Sequence, residues 1–397
     1  MRADKDPSVL IVTASFGAGH TSVSNSLREA FVARGVTRVS ILDFYELVSP
    51  FFNKVSRFVY STGTTWTPAL YGAAYKKVDA LPPDSWVHAA ADRFGREELA
   101  SKVTTEEPDI VLFTYPAPGG VLTTLRRKRL FSGMLATVIT DYSVHSGWLH
   151  NPVDLYLVAT NEIKTELVKR GIDRARVEIS GIPIDISFGG MEKDTGNTSG
   201  VPVVIFAAHG YRTNDAFNVA CSLSRSAPAA KIVVLYRGND MLARRLGEVA
   251  NGGNIELVSF APNLGHLMSR ADVMVSKAGG LTMTEAMVSG LPVVVWRPVP
   301  GQEAENTRFM VRAGAALTAN TISELAAAVG LILSDPVTRE SMRSAARRTV
   351  RRGSADRAVS AVLQRFVETA PQEEAGETNA ATRKAGADLI GQLWSRP

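Results

Sequence analysis

The 397-residue chain holds a single cysteine, Cys221. One thiol excludes an internal disulfide and fits a reducing compartment. Cys221 falls in a helix-like run and reads as a small core residue. No apolar stretch is long enough to cross a bilayer as a helix. The segment Met1–Pro7 is polar and carries acid, so it does not read as a signal peptide. No Gly-Lys-Ser/Thr follows any glycine-rich loop, which excludes a P-loop. The only Asp-x-Asp, Asp4-Lys5-Asp6, precedes the first strand pattern, a poor place for a catalytic metal. No metal and no cofactor is therefore expected. Aromatic and basic residues are not interleaved in any nucleic-acid module, so nucleic acid is not an expected partner.

What remains is an ordinary globular composition, 45% apolar and 21% charged. The length suits two domains, each able to bury its own core. The formal charge of +5 is modestly basic and is compatible with an anionic ligand or an anionic membrane surface.

The most informative stretch runs from Ala271 to Asn306. The apolar run Val273–Val275 ends in Ser276-Lys277-Ala278-Gly279-Gly280. A helix pattern follows from Thr282 to about Val288. Gly290 supplies a left-handed cap, and Pro292 prevents the helix from continuing. A second buried strand, Val293–Trp296, leads to a Pro/Gly loop and another helix from Gln302. This is a strand–loop–helix unit repeated, as in a parallel sheet, with both loops at the carboxyl ends of strands where open α/β sheets bind ligands. Gly279 and Gly280 allow close backbone approach, and the helix start behind them attracts anions. Glu285, one turn on, is able to grip a ribose diol. Gln302, Glu303 and Asn306 cluster at the next helix start, more polar residues than capping alone requires.

This stretch resembles the nucleotide-sugar site of inverting glycosyltransferases of the GT-B fold, whose two doubly wound, Rossmann-like domains face each other across a cleft. It is most similar to the monogalactosyldiacylglycerol synthase and processive diacylglycerol glucosyltransferase group. The resemblance implies an α/β chain that moves a hexosyl group from a UDP-sugar, a UDP-hexose, to a lipid hydroxyl. It implies that Glu285 holds the uridine ribose and that Gln302, Glu303 and Asn306 hold sugar hydroxyls. Lys277, Gly279, Gly280 and Thr282 complete the donor site. Phe260, in the run Phe260–Leu264, matches the region that receives the uracil; a core role for this ring is the other reading.

The chain's beginning supplies the opposite wall. A strand pattern Ser8–Thr13 precedes Ala14-Ser-Phe-Gly-Ala-Gly-His20 and a helix to Ala33. His20 stands on a glycine loop at the end of a first strand, where a neutral imidazole is able to take a proton from an attacking hydroxyl. The same loop resembles that of the galactolipid synthase group, in which the His serves the acceptor. Further on, a strand pattern ends in Thr140-Asp141-Tyr-Ser-Val-His145. Asp141 and His145 are expected at the cleft edge, Asp141 to orient a His or contact the acceptor.

From Phe44 to Tyr75 nine aromatics cluster, including Phe51, Phe52, Trp66 and Tyr71, punctuated by Lys54, Arg57, Lys76 and Lys77. Two readings stand: a helical excursion packed on the domain, or an interfacial surface with rings at headgroup depth and cations near lipid phosphates. The second makes the protein cytoplasmic and peripheral on the inner face of a membrane. One feature departs from the family: Ala207-Ala-His209-Gly210 stands where a glycine-rich diphosphate loop is usual, leaving His209 or Arg212 to supply charge. That loop is the only support for a non-catalytic nucleotide-sugar or lipid binder; a small natural-product acceptor is a third reading. The expected organisation is an acceptor domain over 1–187, a linker over 188–200, a nucleotide-sugar domain over 201–368 whose last helix packs back on the first domain, and a polar tail over 369–397.

Overall fold

A computed structural model of the chain describes residues 6–14, 18–48, 72–73, 77–80, 95–188, 200–249, 253–259, 261 and 264–369. Strands β1 (Val9–Thr13), β3 (Ile110–Phe113), β4 (Met134–Val138) and β5 (Leu155–Val158) are buried at every position, as are β10 (Val273–Ser276) and β11 (Val293–Trp296). Runs rich in Val, Ile and Leu without polar alternation form strands covered on both faces, the signature of a parallel sheet. Adding β2 (Val39–Asp43) and β6 (Val177–Ile179) gives a six-stranded sheet in the order β2-β1-β3-β4-β5-β6. The second sheet takes β7 (Val203–Ala207), β8 (Lys231–Leu235), β9 (Ile255–Val258) and β12 (Ala316–Ala319) in the order β12-β11-β10-β7-β8-β9. All recorded pairings are parallel.

In both sheets the strand order reverses once, at β1/β3 and at β7/β10. Crevices at such reversals, outside the carboxyl ends of the strands, are where open α/β sheets take ligands. Helices cover the faces: α1 (Ala18–Ala33), α2 (Phe44–Val48), α3 (Arg96–Glu106), α4 (Pro118–Arg127) and α5 (Asn161–Lys169) accompany the first sheet. With the second go α6 (Thr213–Ser226), α7 (Asp240–Val249), α8 (Leu264–Ser269), α9 (Gly280–Val288), α10 (Gln302–Arg312), α11 (Ile322–Ser334) and α12 (Pro336–Thr349).

The last described helix, α13 (Ser354–Thr369), returns to the first sheet. Ser354 Oγ accepts from the Ile184 N–H at 3.3 Å, and Arg357 donates to the Ser180 carbonyl at 2.9 Å. Arg34 on α1 pairs with Asp356 at 2.8 Å. Ala358, Val359, Val362 and Phe366 enter a core cluster that also holds Val9, Leu27 and Ile184 of the first domain and Ile205, Met287 and Met310 of the second. The two domains therefore share one apolar core instead of touching through polar surfaces alone. None of the helices among the described residues is long and apolar enough to cross a membrane.

The basic end of α4, Arg126 to Arg129, is partly structural. Arg126 pairs with Asp154 at 2.6 Å and donates to the Gly133 carbonyl, tying the helix end to β4 and β5.

Because α13 closes the shared core from behind, Phe366→Ala is expected to cost about 3 kcal/mol of stability. Denaturant unfolding followed by tryptophan fluorescence measures it. An unchanged midpoint would show that α13 rides on the surface.

Candidate active site

The acceptor-side wall is built by the loops after β1, β3 and β4. His20 lies in the first turn of α1, and its Nδ1–H donates to the Thr114 carbonyl, at the end of β3, at 2.8 Å. This bond assigns the proton to Nδ1 and leaves Nε2 as a lone-pair acceptor. The Tyr115 ring meets the imidazole edge-on at 5.3 Å. Burial pushes the His20 pKa down to about 4, against the opposing pull of the Thr114 bond, so the ring is neutral at physiological pH. A hydroxyl chain locks the backbone beneath it: Thr114 to Thr13 at 3.1 Å, Ser24 to Thr114 at 3.2 Å, and Ser24 donating to the His20 carbonyl at 2.9 Å.

The donor-side wall is built by the loops after β7, β8, β10 and β11. The start of α9 stands opposite the start of α1, so close that a Cβ on Gly19 would lie 3.8 Å from that of Leu281. The two glycines before Leu281 differ. A Cβ at Gly279 would meet nothing within 4 Å, leaving open space for a ligand. A Cβ at Gly280 would stand 2.1 Å from the Thr140 carbonyl oxygen of the other domain. The second glycine is thus required by protein backbone. Thr282 is half-buried in the first turn of α9.

Glu285 is 7% exposed, and its carboxylate has no hydrogen-bond partner among the described residues. Burial first, and the nearby Asp185 carboxylate second, raise its pKa to about 8 despite the cationic Arg237. Glu303 is also pushed upward by burial, opposed by Lys277 and by the Val299 N–H that donates to its carboxylate at 3.0 Å. Lys277 Nζ lies 5.2 Å from the centre of the Tyr211 ring, and its stem runs beside Gly210. His209 is exposed at the loop tip; partial desolvation, then the charges of Arg237 and Lys277, lower its pKa.

The loop after β7 keeps its turn despite the missing glycines. Ala207 and Ala208 are each 1% exposed and belong to the core at the strand end, while Gly210, at φ +79°, makes the left-handed turn.

Asp141 joins the walls. Gln302 Nε2 donates to its Oδ2 at 2.8 Å, and Asn306 Nδ2 donates to its Oδ1 at 3.1 Å. Asn306, 1% exposed, also donates to the Ala278 carbonyl at 2.9 Å and accepts from the Tyr142 N–H at 2.9 Å. The Tyr142 hydroxyl pairs with Thr284 at 2.7 Å, and its ring stacks on Phe309 at 4.3 Å and 10°.

His145 caps the short helical turn Ser146–Trp148, its Nδ1 accepting from the Gly147 N–H at 3.0 Å. Phe260, Phe51, Phe52, Trp66 and Tyr71 lie outside the described residues. Of the aromatic cluster, Phe44 and Tyr45 are core, 1% and 9% exposed. Gly72 reaches the opposite domain, where a Cβ would stand 2.3 Å from that of Pro300. Tyr142, Thr284, Tyr211 and Arg237 were not evident as site residues in the sequence. Tyr142 and Thr284 sit within stretches the sequence singles out, but their pairing, like the placing of Tyr211 and Arg237, comes only from the assembled strand ends.

The first half of the chain, residues 20–184, matches the family model described as monogalactosyldiacylglycerol (MGDG) synthase, and residues 217–349 match glycosyl transferases group 1. A processive diacylglycerol beta-glucosyltransferase of Bacillus cereus (strain B4264) is 30% identical over 351 residues, covering 86% of this chain and 89% of the relative. One from Bacillus thuringiensis (strain Al Hakam) is 29% identical, covering 91% and 94%. Among solved structures, the calicheamicin glycosyltransferase CalG4 has a TM-score of 0.62 at 14% identity, covering 92% of this chain and all of its own (100%). MurG of Acinetobacter baumannii has a TM-score of 0.59 at 13% identity, covering 90% and 100%. At such identities these two establish the GT-B fold alone. The relatives establish more: the chain is a glycosyltransferase and belongs to the family of the MGDG synthases and processive diacylglycerol β-glucosyltransferases.

Proposed function

We propose that this glycosyltransferase transfers a hexosyl group from a UDP-sugar, with inversion, to the hydroxyl of a lipid acceptor of diacylglycerol or prenyl-phospho-linked type. The observation that carries the reading is the apposition of the two helix starts. It sets an imidazole with a free Nε2 against the open Gly279 and the unpartnered, buried Glu285 carboxylate.

In the proposed reaction His20 Nε2 takes the proton of the acceptor hydroxyl as its oxygen attacks the anomeric carbon. The new C–O bond forms on the face opposite the diphosphate. The bond from the anomeric carbon to UDP breaks, and its electron pair leaves with the diphosphate oxygen. Lys277, Arg237 and the amino-terminal end of α9 meet that charge, so the reading assigns no step to a metal. Glu285 accepts from the ribose diol, and Gln302 and Glu303 face the hexose.

The donor is held from one domain and the acceptor from the other. A lipid acceptor requires the protein to visit a membrane surface, and the rings and cations of residues 51–77 are assigned to that contact. Two or three rings at about 1.5–3 kcal/mol each, with cations at about 1 kcal/mol each, give reversible, salt-sensitive binding to anionic lipid on the inner face of the membrane.

Three outcomes test this reading. His20→Ala should lower kcat by about a hundredfold or more while UDP binding is retained; near-normal turnover removes His20 from the role. A diol binds the ionised form of Glu285, whereas the free carboxyl holds its proton up to a pKa of about 8. Donor affinity, read by calorimetry in buffers of different ionisation enthalpy, should therefore rise with pH towards about 8 and level off above it, with proton release below. A flat profile without proton release places Glu285 away from the ribose. Finally, the protein should sediment with phosphatidylglycerol vesicles at low salt, and Phe51→Ser with Phe52→Ser should weaken this. Equal sedimentation by the folded double variant makes the segment interior packing.

A further inference from the structure

The buried acid Asp141 is bonded at both carboxylate oxygens by amides of the opposite domain. Each carboxyl oxygen of Asp141 accepts an amide N–H, and these two bonds oppose the burial that pushes its pKa upward. For Asn306 the orientation is over-determined: its oxygen takes the Tyr142 N–H and its nitrogen also reaches the Ala278 carbonyl. Its amide has little capacity left for a sugar. Gln302 differs. Its Nε2 is committed to Asp141 at 2.8 Å, while its Oε1 has no partner among the described residues and the side chain is only half-buried.

We propose that Asp141 is a positioning residue that fixes the amide of Gln302 with its carbonyl oxygen towards the donor sugar, and that Asn306 and Tyr142 hold Asp141 for this purpose instead of touching the hexose. A donor hexose would then be read at that point by a hydroxyl that donates, because Gln302 offers an acceptor there. A free glutamine presents either end and discriminates less. The assignment rests on the nucleotide-sugar reading above, and it makes Asp141 an aid to donor binding, where a proton acceptor would act in chemistry alone.

The surroundings fit this role. Tyr142, next in the chain, is anchored three ways on the opposite domain: by its N–H on Asn306, its hydroxyl on Thr284 at 2.7 Å and its ring on Phe309. The Thr140 carbonyl presses on Gly280 from the other side. Three consecutive residues are thereby fixed against the starts of α9 and α10. A carboxylate on such a support is held well enough to orient an amide, since one misplaced hydrogen bond costs about tenfold in binding.

The test uses the full-length protein, with UDP, UDP-glucose and UDP-galactose as calorimetric probes. In Asp141→Asn the new amide is able to donate or accept, so Gln302 loses its single orientation. UDP affinity should stay as in the wild type, while the extra affinity conferred by the hexose falls about tenfold. KM for the nucleotide sugar should rise by the same factor. Gln302→Ala should show the same loss, and the double variant no more than either single one. Thermal unfolding of each variant checks that it is folded, and Gln302→Ala tests the assignment even where Asp141→Asn is not. Unchanged nucleotide-sugar affinity in Asp141→Asn with a fall confined to kcat would overturn the proposal in favour of a proton-transfer role. Additive losses in the double variant would overturn it as well. A wild type that binds no UDP overturns the nucleotide-sugar reading itself, and this assignment with it.

Discussion

The structure depends on one steric fact: the Thr140 carbonyl oxygen lies where a Cβ on residue 280 would be, 2.1 Å from it. Only glycine permits the loop after β4 to rest on the start of α9. Once it rests there, Asp141 and Tyr142 fall against α10, and the apolar core becomes continuous from Val9 in the first sheet to Met310 in the second. The two strand-order reversals are then forced to face one another. Each reversal alone is a generic ligand crevice; opposed, they bring the helix start that carries His20 against the helix start behind Gly279.

The charges of the cleft separate what is structural from what is kept for a ligand. Buried and half-buried acids elsewhere among the described residues have partners. Asp109 takes the Ser8 N–H and hydroxyl at 2.9 Å each, Asp154 takes Arg126 and the Leu135 N–H, and Asp272 takes the Val203 N–H. Burying a carboxyl without such partners is costly, and proteins seldom do it without a use. Glu285 is the exception, held at 7% exposure and facing a cleft. Its raised pKa and its lack of partners are the same fact stated twice: the environment supplies too little to stabilise the anion, and a diol would complete it. Across the cleft His20 shows the complement, a ring with one nitrogen spent on backbone and the other reserved.

Much of this was legible in the sequence because strand ends and glycines carry strong local signals. The buried runs of β1, β4, β10 and β11 were readable, and the loops bearing His20, Asp141, Lys277 and Gln302 followed from them. β12 was not: Ala316–Ala319 is short, partly exposed and alanine-rich, and its strand character comes from pairing with β11. The double glycine was read as one device for a ligand, whereas only Gly279 is open. Nothing local distinguishes a glycine cleared for a substrate from one cleared for another domain's backbone. Asn306 and His145 illustrate the same limit. Their polarity was visible, but the carboxylate that the Asn306 amide meets and the turn that His145 caps are supplied by neighbours the local sequence does not announce. Tyr142 was hidden altogether, since a tyrosine after a strand has no signature until its three anchors are assembled.

The continuous core also bears on how a substrate arrives. Domains joined through polar surfaces open readily, but a large apolar contact resists separation. Here Ile182, Ile184 and Phe188 from the interdomain segment, Met268 from α8 and Val359 from α13 lie in the same cluster as Met283 and Met287 of α9. Separating the domains would expose this surface and would also break the bonds of Asp141 and Tyr142. A nucleotide sugar is therefore better served by a cleft that is already formed, reached from the side where Gly279 faces open space. In such a cleft the side chains on the donor wall are fixed before the donor comes, and less ordering entropy is lost on binding. The His20 imidazole is likewise held by its bond to the Thr114 carbonyl at the end of a core strand.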